Sequence, residues 1–243
     1  MQKGSGPVGM QNGEAGRSTM TEAVSLNSSA EGEKDKRALL VRAAVRVFAD
    51  HGFDAATLRD ITQLAGANIA AVNYYFRSKD ELLKSALESC LRPLNQARLA
   101  ALDAIAPSDG GLPALEAVVE ALVRPVVELG MDETGGRAPV RLLLQARALP
   151  RPFTNAILGE YFDAVHSRFL AILRALLPHL TANELALRYD FARGAAMQIV
   201  ADLDPVARRQ PGLRVTHSLM DNEPIIRNLV VFITAGLNAP SAE

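Results

Sequence analysis

The chain of 243 residues contains no tryptophan and a single cysteine, Cys90. A lone thiol excludes an intrachain disulfide and a metal site built from several cysteines, and it suits a reducing cytoplasm. Aromatic residues make up only 5%, and alternating Val, Ile and Thr runs bounded by turn signals are scarce, which argues against a sheet. No apolar run approaches the roughly 18 residues that a membrane span needs. Charge of one sign is not in excess either. The formal net charge is -1, so any electrostatic footprint for nucleic acid has to be local.

Enzyme signatures are missing too. No Gly-x-Ser-x-Gly elbow occurs, and no glycine-rich phosphate loop follows a strand. Glu160, Asp163 and His166 recur at i, i+3 and i+6, a spacing that could mimic a carboxylate-histidine metal cluster. No second cluster accompanies them, so a hydrated polar stripe is the simpler reading. His51, His179 and His217 fall near helix ends or in a loop, where capping and solvent are their ordinary roles. Neither a metal nor a cofactor is expected.

What is present is 49% hydrophobic content, dominated by Leu and Ala, and this composition reads as an all-α chain. Residues 1–33, rich in Gly and Ser, read as a disordered leader. From Lys34 the pattern changes. Leu40, Val41, Ala44, Val45 and Phe48 form one helical stripe, with Lys36, Arg37, Arg42 and Arg46 mostly off it. That helix stops at Gly52, with Phe53 packing back on its last turn. Thr57 caps a second, short helix with Asp60 as its capping-box partner. Ile61, Leu64 and Ala65 give that helix a buried side, and Gly66 ends it.

Asn68 then caps a third helix, on which Ile69, Val72 and Phe76 are expected to face inward. Two short helices joined by a glycine turn behind a longer helix have the layout of a helix-turn-helix. Ala70, Ala71, Asn73, Tyr74 and Tyr75 are left for the outer faces. A major groove suits that surface: small residues allow close approach, Asn pairs with adenine N6 and N7, and tyrosine hydroxyls reach phosphates. Residues 34–84 hold nine basic and six acidic side chains, a local positive excess in a chain that is slightly negative overall.

The segment AATLRDITQLAGANIAAVNYYFRSKDELL resembles the DNA-binding domain of TetR-type transcriptional regulators. A Thr-capped second helix, an Ala-Gly turn, a recognition helix ending in an aromatic pair, and Ser78, Lys79, Glu81 and Leu82 agree in order. The resemblance covers residues 35–95, with the helix-turn-helix at about 58–77. It implies that Thr57 and Lys79 hold the DNA backbone, that Tyr75 sits at a phosphate-contacting position, and that Asn68 to Tyr74 form the groove-facing helix. The residues expected to meet DNA are Thr57, Arg59, Asn68, Ala70, Ala71, Asn73, Tyr74, Tyr75 and Lys79. Many members have Gly-Thr-Leu-Tyr where this chain has Ala70, Ala71, Val72 and Asn73, so base contacts do not transfer from them. The Ala-Ala-Val-Asn-Tyr version resembles a subgroup that includes fatty-acid-responsive repressors.

Further helices are expected from about Asp80 to Ile105 with a bend at Pro93, and from Leu112 to Leu129 with an interruption at Pro125. Others follow at Ala138–Leu149, Pro152–Leu177, Ala182–Leu203 and Pro224–Leu237. Breaks fall at 107–111, 132–136, 150–152 and 204–222. Residues 96–243 thus read as a helical bundle, which the resemblance implies is the ligand-binding and dimerisation domain. The resemblance implies a homodimer through the last two helices, a pseudo-palindromic operator in double-stranded DNA, and a small-molecule effector. Leu122, Leu143, Arg147, Phe162, His166 and Phe169 are candidates for its pocket, although Leu and Phe at helical spacing are more often core. Arg147, if buried, could hold a ligand carboxylate. The function expected is a repressor released by a small apolar or amphipathic ligand. An activator of the same family, or a helical scaffold with a vestigial head, are the alternatives.

Overall fold

The computed structural model describes Met1, residues 15–105, residue 107, and residues 110–129, 137–149, 151–204 and 221–241. Among them are nine helices and no strand. The first four are α1 (Ala15–Ala55), α2 (Leu58–Ala65), α3 (Ile69–Tyr75) and α4 (Lys79–Ala104). They lead into α5 (Leu115–Val127), α6 (Ala138–Ala148), α7 (Pro152–Leu176), α8 (Ala182–Asp202) and α9 (Asn222–Asn238). No described helix is long and apolar enough to cross a membrane.

The apolar stripe of α1 is buried as its periodicity requires: Leu40, Val41, Ala44, Val45 and Phe48 lie inside while Arg42 and Arg46 stay exposed. The helical backbone reaches back to Ala15, so the disordered leader expected over 1–33 is helical from residue 15 onward. Propagation from the anchored stripe adds one hydrogen bond per residue fixed, which favours extending an existing helix over starting a new one. Residues 2–14 lie outside the described residues. Gly52 interrupts α1 at φ +77°, a conformation glycine adopts without a Cβ clash. Phe53 then turns back so that its ring lies 5.7 Å from Phe48.

α1 packs against α2, α4 and α6, while α5 lies against α4, α8 and α9, and α7 against α4 and α8. One hydrophobic core runs through all of these contacts. α4 continues through Pro93, and α5 continues through Pro125 rather than breaking there. Proline inside a helix costs about 3 kcal/mol. On α5, burial of Val118, Val119, Leu122, Val123, Val126 and Val127 outweighs that, since each fully buried aliphatic side chain contributes roughly 1.5 kcal/mol or more. The breaks expected at 107–111 and 150–152 separate helices, with residues 106, 108, 109 and 150 outside the described set. The break at 132–136, most of that at 204–222, and His217 also lie outside it.

Candidate nucleic-acid interface

α2 begins with a complete capping box. The Thr57 Oγ1 accepts from the Asp60 amide at 3.1 Å, and the Asp60 carboxylate accepts from the Thr57 amide at 3.0 Å and its hydroxyl at 2.6 Å. These bonds hold the exposed Asp60 carboxyl below its ordinary range, with the Thr57 side chain the main cause. Gly66 closes α2 in the left-handed conformation at φ +63°. Two residues on, the Asn68 side chain accepts from the Ala71 amide at 2.9 Å and starts α3. Asn68 is thereby committed to the helix itself.

α3 is anchored on Val72 and Phe76, 1% and 2% exposed. Arg37 of α1 lies 5.1 Å above the Phe76 ring and donates to Ser85 Oγ of α4, tying the three elements together. Ile69 and Leu64 do not face inward as their spacing suggests; both are 49% exposed. α3 has only seven residues, and its supporting contacts reach the last turn, leaving position one over solvent. Ala70, Asn73 and Tyr74 are exposed, Ala71 and Tyr75 half-buried. Tyr74 stands against Tyr75 edge to face at 4.9 Å, and its hydroxyl is 3.5 Å from the Glu33 carboxylate. Burial, Glu33 and Tyr74 raise the Tyr75 phenol above its ordinary value, so it stays a donor at neutral pH. Arg59 is exposed on α2. Lys79 is held: its ammonium lies 4.5 Å over the Phe53 ring and donates to the Asp54 carbonyl at 3.4 Å.

The body contains a cavity of about 200 Å³ between α4, α6, α7 and α8, lined among others by Leu143, Arg147, Leu158, Phe162 and Arg193. Of the expected pocket residues, Leu143, Arg147 and Phe162 reach it. Leu122 and Phe169 are core residues instead, 2% and 0% exposed. His166 lies just behind the lining, stacked on Phe162 at 5.2 Å and edge-on to Tyr189 at 5.4 Å. Burial pulls its imidazole down to about 3, helped by the guanidiniums of Arg193, Arg98 and Arg147, so His166 is neutral. Glu160 and Asp163 point to solvent while His166 turns inward, which separates the three members of that polar stripe. Among the described residues no group of His, Cys, Asp and Glu could hold a metal ion.

Residues 40–86 match the family described as bacterial regulatory proteins, tetR family, and residues 120–236 match the tetracyclin repressor-like C-terminal domain. The HTH-type transcriptional regulator BetI of Rhizobium meliloti (strain 1021) is 31% identical over 156 residues, covering 63% of this chain and 72% of that protein. The chain belongs to the TetR family. It is a DNA-binding transcriptional regulator, not an enzyme. The likeness of this TetR-family chain to other proteins differs by region. The nicotine-responsive transcriptional repressor HdnoR of Paenarthrobacter nicotinovorans is 42% identical, but over 60 residues, 25% of this chain and 31% of that protein. In fold, the ketosteroid transcriptional regulator KstR2 of Mycobacterium tuberculosis superposes with a TM-score of 0.59 at 19% identity, covering 82% of this chain and 93% of that one.

Sequence reasoning missed the most unusual cation of this TetR-family body. Arg98 on α4 is 3% exposed, and among the described residues its one hydrogen bond runs from Nε to the Leu122 carbonyl at 3.1 Å. The signal was available: Leu87, Leu91, Leu94, Arg98 and Leu102 are spaced four, three, four and four apart, which sets Arg98 on the buried stripe. Arg147, by contrast, is exposed at the cavity's edge. Outside the cavity, α8 and α9 expose Leu187, Phe191, Val231 and Phe232, at 54%, 64%, 71% and 69%.

Proposed function

We propose that this TetR-family regulator is a homodimeric repressor, released from a pseudo-palindromic operator when a small apolar or amphipathic effector enters its body. The head spans 35–95 and the body 96–243, with α4 crossing from one to the other. Asn73 and its neighbours Ala70 and Ala71 read bases, and Tyr74, Tyr75, Arg59, Thr57 and Lys79 meet the backbone. Asn68 contributes as the cap that aims α3. Exposed apolar residues on α8 and α9 support a dimer through these two helices, because patches of this kind on helical faces mark association sites. A two-fold dimer presents two heads at a spacing set by the body. DNA as the target implies action in the cytoplasm.

The observation that carries the release step is the position of α6. One side of it lines the cavity through Leu143, Leu144 and Arg147. Its other side holds the end of α1: Gln145 donates to the Ala49 carbonyl at 2.9 Å, and Arg141 pairs with Asp50 as well as with the buried Asp204 behind α8. A displaced α6 therefore moves the helix on which the head is built. The effector must bind the two body shapes with different affinity, since tight binding alone shifts nothing. A gel-shift titration on the promoter beside its own gene tests the reading. Specific retardation of that duplex is expected, and failure to bind any specific duplex at low salt would overturn it.

A further inference from the structure

Two cavities compete for attention. The larger, about 1030 Å³, is an open cleft between α1, α4, α5 and α6, lined by Leu129 and Ala138 on either side of residues 130–136, which lie outside the described set. The smaller cavity between α4, α6, α7 and α8 is more enclosed and is bounded wholly by described residues.

The smaller cavity has an electrostatic imbalance. Arg98 lines it, is 3% exposed, and pairs with no carboxylate among the described residues. Among the described residues its single bond goes through Nε to Leu122, so the terminal nitrogens of the guanidinium have no acceptor among them. Leaving a buried cation without a counter-ion is costly, and proteins ordinarily pair such groups. Arg193 and Arg147 line the same cavity. Asp190, 62% exposed, pairs with Arg193 at 3.1 Å and is the one acidic residue lining it. His166 supplies no compensation: it is neutral, with Nε2 3.0 Å from the Arg193 guanidinium. Gln198 adds one uncharged polar side chain, and the rest of the wall is mainly apolar, including Leu94, Leu143, Leu158 and Met197.

We propose that this cavity binds a compact organic carboxylate, its charged end held by Arg98 and Arg193 and its apolar body packed against Leu143, Leu158 and Phe162. This rests on the effector reading of the same cavity and specifies its chemical class. The guanidinium fork matches a carboxylate in a bidentate pair. Inorganic phosphate would satisfy the cations and waste the apolar walls. A neutral amide would fill the walls and leave Arg98 unpaired. The volume, about 200 Å³, lies below the roughly 300–1,000 Å³ of pockets for drug-sized ligands, which favours a short or single-ring acid.

The test is calorimetric titration of the full chain, without DNA, using benzoate and hexanoate as probes against benzamide, hexanamide and inorganic phosphate. Carboxylate binding at least roughly tenfold tighter than either amide or phosphate is expected. Arg98→Met should abolish the preference for carboxylate. Gly194→Leu gives an independent check: Gly194 lines the cavity, a Cβ there meets nothing within 4 Å, and its backbone suits any residue. That variant should fold and lose carboxylate binding by filling the space. Equal binding of amide and carboxylate, equal binding of phosphate, absence of carboxylate binding at millimolar concentration, or unchanged binding in Gly194→Leu would each overturn the proposal. Carboxylate binding that leaves operator affinity unchanged would keep the ligand class and defeat the release mechanism instead.

Discussion

Gln145 on α6 donates its side-chain amide to the Ala49 carbonyl on α1 at 2.9 Å, across the junction between body and head. Its immediate neighbour Leu144 lines the cavity. Gln145→Leu should therefore leave operator binding and carboxylate binding nearly intact while weakening the link between them. Coupling free energies are commonly about 1–3 kcal/mol, so loss of this contact should reduce the ligand-induced change in operator affinity several-fold. Operator Kd measured with and without saturating benzoate or hexanoate checks it; full coupling in the variant would remove α6 as the transmitting element.

On the head, two kinds of substitution should separate. Asn73→Ala should cost about 1–3 kcal/mol on the cognate operator and relax preference at one base pair. Lys79→Gln and Tyr75→Phe should weaken binding to all sequences alike, and Lys79→Gln should lower the salt slope by about one. Fluorescence anisotropy across single-base operator variants and a salt series reads both. An Asn73→Ala loss that is uniform over sequences would reassign Asn73 to the backbone.

Association should depend on the exposed aromatics of the last two helices. Phe191→Asp or Phe232→Asp places a charge in the proposed interface and should weaken the dimer by about 2 kcal/mol or more each, the range of interface hot spots. Sedimentation at micromolar protein should show monomer for the double variant. A dimer that survives both changes would place the two-fold axis on another face.

Stability should fall on acidification because of His166. Its folded value of about 3 lies below the ordinary 6.5, so between those limits the unfolded chain binds the extra proton. The stabilisation is complete above about pH 6.5 and is lost progressively as pH falls toward the folded value. His166→Gln should flatten this part of the Tm-against-pH curve; an unchanged slope would mean that other groups produce it.

The order of helices and the caps of the head were legible because local chemistry determines them: Thr57 with Asp60, Gly66 in its turn, and Asn68 at the start of α3. What periodicity could not show was which neighbour covers each face. Leu64 and Ile69 have helical spacing but do not pack against the core, and their exposure is set by that tertiary limit. In the body the difficulty was different. Leu122 and Phe169 are as apolar as Leu143 and Phe162, and only the packing of four helices decides which pair borders empty space. Arg98 was hidden by its charge, which reads as surface until its place on the leucine stripe of α4 is counted.

The cavity draws its walls from α4, α6, α7 and α8 and takes no side chain from α2 or α3. On the proposed reading, the inventory of molecules the protein senses is thus chemically separate from the inventory of sequences it reads. Exchange of Leu158 or Met197 would change the vocabulary of signals without rewriting the address on DNA, and exchange of Asn73 would do the reverse.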